Sequence, residues 1–226
     1  SPLRRSAWPQ HRLEPPSAEE RKEYADQLTA LRAQLVAPSA EVDGERAAWE
    51  KGIRDAAATW VVLEPSSMKA AKGTKLEKLA DGSIFSTGKK VQTDTFSLVA
   101  TSHLASLAAL RIEVIPDESL PKGGSGRQPG SGNFVLNELK VTCAPAGRPG
   151  EASPVKLQNP AARFSQNNYA IALAIDGDPA TGWAVHPQEN RPNWAVFDLA
   201  SAVGHSGGTR LEITLEQNHG GEHLLG

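Results

Sequence analysis

The stretch Leu110-Arg111-Ile112-Glu113-Val114-Ile115 alternates apolar and charged side chains. A period of two puts Leu110, Ile112 and Val114 on one face of a strand and Arg111 and Glu113 on the other, so this segment reads as a strand with one face on a core and one in water. The same texture extends in both directions, in short segments punctuated by turns. Trp60-Val61-Val62-Leu63 reads as a strand ended by Glu64-Pro65, and 93–101 carries Thr95-Phe96-Ser97-Leu98-Val99. Residues 75–79 and 83–86 flank Asp81-Gly82, a tight-turn dipeptide, and form an expected hairpin. Further strands are expected over 107–115, 133–143, 155–157, 161–164, 195–199 and 210–215, with a Gly/Pro-rich loop at 116–132 and a surface excursion at 144–153. Strands at this spacing predict a β-sandwich over 59–226. The alternative, two small β-domains divided near 150, leaves each half a thin core.

The amino-terminal quarter reads differently. Residues 1–16 are Pro- and Arg-rich and read as a linker, and 17–58 as a helical hairpin. Ser17-Ala18-Glu19-Glu20 is a capping box, followed by Tyr24, Leu28, Leu31 and Leu35 at helical spacing until Pro38. Ser39 caps a second expected helix with Val42, Trp49, Ile53 and Ala56 on one face. Such a pair is a structural hairpin or spacer, or a short partner-binding coiled coil.

Composition narrows the function. Lys plus Arg is 24 against 26 Asp plus Glu, a net charge of −2, so the basic footprint of a nucleic-acid binder is missing. There is no apolar run of about 18 residues for a membrane span. Ser1-Pro2-Leu3-Arg4-Arg5 lacks the apolar region of a signal peptide behind it. Cys143 stands alone, which excludes an internal disulfide framework, and no Cys-x-x-Cys-His is present for haem attachment. In a long-looped β-domain without disulfides, a metal is the candidate staple.

One constellation points to such a metal. Asp176-Gly177-Asp178-Pro179-Ala180-Thr181 offers two carboxylates and a hydroxyl around a tight turn. Ca²⁺ takes six to eight oxygens, and a turn supplies side-chain and carbonyl oxygens together. An Asp-Gly turn that caps its own amides is the competing reading. A second constellation, Trp183, His186, Arg191, Asn193 and Trp194 in one loop, combines aromatic faces with amide, guanidinium and imidazole groups, as a sugar site does; Trp183 equally reads as a core plug. Arg127, in the glycine-rich loop, is a further candidate contact or a structural pair. His205, His219, Glu222 and His223 lack the helical spacing that makes metal ligands converge and read as surface residues. Glu113, Glu138, Glu212 and Glu216 on strands could flank a glycosidic bond only if two faced one cleft. No nucleophile-elbow or zinc-peptidase motif occurs, so a non-catalytic protein is expected.

Residues 161–199, with Ala174-Ile175-Asp176-Gly177, Thr181-Gly182-Trp183 and a strand ending Asp198-Leu199, resemble the opening of galactose-binding-like (discoidin-type) jelly rolls. The resemblance implies a jelly-roll-like sandwich and a structural Ca²⁺ on Asp176, Asp178 and Thr181, with Glu138 as the counterpart of the family's strand glutamate. Glu138 precedes the turn, so the fold would be circularly permuted. A broader set of motifs, among them Leu110–Asp117, Gly132–Glu138, Phe164-Ser165-Gln166 and His223-Leu224-Leu225-Gly226, resembles the middle region of planctomycete surface proteins that carry a cytochrome-c-like haem domain. This implies an extracytoplasmic multidomain protein with any haem in a flanking domain. The expected function is a polysaccharide-binding module. The alternative is a structural or docking domain between a haem domain and its neighbours.

Overall fold

The computed structural model describes residues 16–36, 43–48 and 60–226. The chain divides into two units, 1–60 and 61–226. In the first, α1 spans Ala18–Val36. Its capping box forms: the Glu20 amide donates to Ser17 Oγ at 3.2 Å and the Ser17 amide to Glu20 Oε2 at 2.7 Å. Tyr24, Leu28 and Leu31 are exposed. Residues 43–48 are helical. The expected lead-in up to residue 15, residues 37–42 where a turn is expected, and Val42, Trp49, Ile53 and Ala56 lie outside the described residues. No helix among the described residues is long and apolar enough to cross a membrane.

The second unit is mostly β and antiparallel. Its strands are β1 (Pro65–Ala70), β2 (Thr74–Lys78), β3 (Ile84–Gly88), β4 (Asp94–Ser102), β5 (Leu107–Val114), β6 (Glu138–Pro145), β7 (Ser153–Val155), β8 (Leu157–Ala162), β9 (Asn193–Val203) and β10 (Thr209–Gln217). Five of them form a sheet in the order β1-β4-β10-β6-β7, three form β5-β9-β8, and β2-β3 is a hairpin. The alternative of two β-domains divided near 150 does not fit this order, because β6 lies between β7 and β10 in one sheet.

Register explains the core. Along β10, Leu211, Ile213 and Leu215 are buried and pair with Cys143, Val141 and Leu139 on one side and Ala100, Leu98 and Phe96 on the other. On the three-stranded sheet, Ile112 faces Ala195 and Leu110 faces Phe197, while Arg111 and Glu113 stay exposed. The apolar faces of both sheets enter a single cluster with Phe134, Leu136, Ile171, Trp183 and Val185. This arrangement is consistent with a β-sandwich.

Two expected strands are corrected. Residues 60–64 are not in a strand; Trp60, Val61 and Val62 are exposed, and the first strand begins at Pro65. β1 is an edge strand of Ser, Met and Lys, and Pro is tolerated at its first position because no ladder amide is needed there. Residues 133–137 are buried but irregular, and the strand starts only at Glu138. Their backbone bonds go elsewhere: Val135 donates to His223 O, Leu136 exchanges bonds with Trp183, and Asn137 donates to Glu216 O. Apolar content here marks a buried connection rather than a ladder.

Candidate functional site

Two polar assemblies stand out, both fed by the connection at 133–138. The first is the turn at Asp176. The Ile171–Ala174 single turn leads into it, and Gly177 adopts φ 84°, which only a residue without a Cβ takes readily. Asp176 Oδ1 accepts the Asp178 amide at 2.9 Å, and the Gly177 amide donates to Glu138 Oε1 at 2.8 Å. Thr181 Oγ1 lies 2.8 Å from Asp176 Oδ2, 3.1 Å from Asp178 O and 3.3 Å from Leu173 O. One hydroxyl proton cannot satisfy three acceptors, so the cluster has more lone pairs than protons.

Glu138 is almost wholly buried and shares a hydrogen bond with Asp176. Burial, reinforced by the Asp176 charge, raises the Glu138 pKa; the Gly177 amide and Lys140 oppose this only in part. At Asp176 the balance reverses: burial opposes ionisation, but bonds from the Asp178 amide, the Thr181 hydroxyl and Glu138 lower its pKa. The two carboxyls are therefore pushed in opposite directions, with Glu138 the more readily protonated and Asp176 the more readily ionised of the pair.

Among the described residues no group of three or more His, Cys, Asp or Glu side chains is arranged to hold a metal ion. The oxygens near Asp176 are of mixed kind: carboxyl, hydroxyl and carbonyl. That donor chemistry fits Ca²⁺, whose neighbouring ligands at bond lengths of about 2.3–2.6 Å stand roughly 3 Å apart. Asp178 contributes to the turn through both its side chain and its backbone. Its Oδ1 accepts the Ala180 amide at 2.9 Å, and it is its backbone carbonyl that faces Thr181 Oγ1.

Asn137, fully buried, ties this turn to the end of β10, a role that sequence reasoning missed. Its Nδ2 donates to Thr181 O at 2.6 Å and Pro179 O at 3.1 Å, while its Oδ1 accepts the Asn218 and His219 amides.

The second assembly is an open cleft of about 350 Å³ lined by Gln128, Ser131, Asn133, Gln166, His186 and His223. Gln128 Oε1 accepts the Ser131 amide and hydroxyl. Asn133 donates from Nδ2 to Gln166 Oε1 at 3.0 Å and accepts the Val185 amide at Oδ1. The His186 Nδ1 stands 3.2 Å from Glu189 Oε1, and the His223 Nδ1 stands 2.9 Å from Gly220 O. His223 meets His219 edge to face at 4.8 Å, and His219 meets Tyr169 at 5.7 Å. Burial, with His223 adding to it, lowers the His219 pKa.

Of the six expected ligand contacts, the cleft contains His186. Trp183 is fully buried, donates from Nε1 to Phe164 O and packs edge-on against Phe134, so its ring has no access to a ligand. Trp194 lies at the start of β9 on the outer face of the three-stranded sheet, under the Arg111 guanidinium at 5.4 Å. Asn193 is buried and holds its own loop through Gln188 O and Arg191 O. Arg127 reaches the β2–β3 hairpin, donating to the carbonyls of Thr87, Gly88 and Lys89 and to Thr74 Oγ1. Arg191 is exposed in the loop and does not line the cleft. Gln128, Ser131, Asn133 and Gln166 come together across more than thirty residues of sequence, which no local motif signals. The four strand glutamates do not meet in the cleft: Glu113 pairs with Arg111, Glu212 with Arg210, Glu216 with Lys140, and Glu138 sits at the Asp176 turn.

Comparison with protein-family models, curated proteins and solved structures found no match.

Proposed function

We propose that the 61–226 unit is a non-catalytic glycan-binding module of a larger extracytoplasmic protein, a jelly-roll-like sandwich permuted relative to galactose-binding-like domains. The observation that carries this reading is the cleft beside the 128–133 loop. Its lining is amide, hydroxyl and imidazole, the groups that exchange hydrogen bonds with sugar hydroxyls, and the Tyr169–His219–His223 ring series runs to its edge. Ca²⁺ belongs in the oxygen cluster of Asp176, Thr181, Glu138 and the carbonyls of Leu173 and Asp178. When bound, it would neutralise the paired carboxyls and pin the turn that leads into Trp183. The haem-bearing and other neighbouring domains suggested by the planctomycete resemblance would lie outside this chain.

The test is a polysaccharide array followed by calorimetry of the full chain with Ca²⁺ present. Saturable binding to at least one glycan is the expected result; none to any would overturn the reading. A docking or scaffold domain is the second reading. It is favoured by Trp183 lying in the core and Trp194 on a sheet face, which leaves no tryptophan pair to frame the cleft.

A further inference from the structure

We infer that the cleft takes a neutral, hydroxyl-rich glycan, whose hydroxyls donate to the Nε2 atoms of His186 and His223 and accept from the side-chain amides of Gln128 and Gln166. The inference rests on the glycan reading and names its ligand class.

Gly220 O can only accept, so the His223 Nδ1 that faces it at 2.9 Å carries the hydrogen, and Nε2 is left as a lone pair in the neutral ring. Glu189 Oε1 does the same for His186 at Nδ1. Both rings line the cleft, so both are set as acceptors. The amides are set the opposite way. Gln128 Oε1 is engaged by the Ser131 amide and hydroxyl, and Gln166 Oε1 by Asn133 Nδ2. Each amide therefore has its NH₂ group left for a ligand. Two donors beside two acceptors match hydroxyl groups, which need both.

Charge argues for neutrality. No Lys, Arg, Asp or Glu lines the cleft. The nearby cation Arg127 is committed to three hairpin carbonyls and Thr74 Oγ1, and Glu222 also acts on it electrostatically. With both rings neutral, a uronate or sulfate brought here would lose water and gain no cation. Glu189 is a positioning residue: it acts through the His186 ring rather than on the sugar.

Two readouts test this on the full chain in Ca²⁺. Long-range ¹H–¹⁵N NMR reads the histidine tautomers directly. Calorimetry compares galactan, mannan and xyloglucan with polygalacturonate and alginate. We expect the Nδ1–H tautomer at His186 and His223 at pH 8, conversion of His186 to a tautomer mixture in Glu189→Ala, and at least about tenfold tighter binding of a neutral polysaccharide than of either acidic one. An Nε2–H tautomer at both rings, or preference for an acidic polysaccharide, overturns the inference and leaves the glycan reading standing. No binding of any of the five overturns the glycan reading and the ligand class with it.

Discussion

The turn at Asp176 and the cleft at His186 are both polar and both reached by the connection at 133–138, yet they leave different atoms unsatisfied. At the turn, oxygen crowds on oxygen: Thr181 Oγ1 has three acceptors around it and Glu138 abuts Asp176. Only a proton or a cation relieves that excess. In the cleft, each amide oxygen and each Nδ1 that the structure pairs is satisfied inside the protein, and the outer halves of the same groups remain. The first arrangement suits an ion and the second a neutral polar ligand. Residue type separates the two cases in part, carboxyls at the turn against amides and imidazoles in the cleft, and which atom of each group is already engaged completes the distinction.

Breaking the common support should have the largest effect. Trp183 joins both regions through its backbone exchange with Leu136 and its place in the core. Trp183→Ala should cost about 3–5 kcal/mol in urea unfolding. A loss under about 1 kcal/mol would mean that the ring is not a core element.

Calcium sharpens the contrast next. At a free concentration a hundredfold above its dissociation constant, Ca²⁺ should add about 2.7 kcal/mol to stability, read as a shift in the unfolding midpoint. Glu138→Gln should abolish most of that gain. In chelator the same variant should behave in reverse. The Glu138 pKa is raised in the folded state, so its contribution is fully present below the unfolded carboxyl value of about 4.3 and is lost as pH rises through the folded value. A glutamine, which stays neutral and can still accept the Gly177 amide, should thus unfold no more easily than wild type above that range. If Glu138→Gln is destabilising to the same degree with and without calcium, the oxygen cluster is a structural turn and no ion site.

The cleft predicts smaller changes, confined to binding. Gln166→Ala should weaken glycan binding about tenfold, or roughly 1.4 kcal/mol, with little loss of stability beyond the one bond to Asn133. Trp194→Ala should change binding by less than about twofold. Its stability cost should stay near 1 kcal/mol, because its clearest partner is a surface Arg111.

The sequence exposed the strands that alternate: β10 buries every second residue along its length, β9 does so from Asn193 to Leu199, and β5 alternates covered and exposed residues from Leu110 to Val114. It concealed β1, because Ser66, Ser67 and Lys69 at a half-wet edge carry no apolar period. It also made a strand of 133–137, because burial in a connection and burial in a ladder look alike in composition. At the turn, the side chains of Asp176, Thr181 and Glu138 were named from local spacing and a family likeness, and the fold does bring them together. In the ligand loop, local spacing misled: Trp183 and Trp194, eleven positions apart, end on the core and on an outer sheet face. The groups that line the cleft with His186 come from 128–133, 166 and 223, and only the long-range exchange at 133–136 brings them near.

The most direct test of the account is calorimetric titration of one neutral polysaccharide, in Ca²⁺, into wild type, Gln166→Ala and Trp194→Ala. The cleft account predicts saturable binding to wild type, an affinity about tenfold weaker in Gln166→Ala, and unchanged affinity in Trp194→Ala. Loss of binding in Trp194→Ala with Gln166→Ala unaffected would contradict it and move the site to the outer face of the β5-β9-β8 sheet.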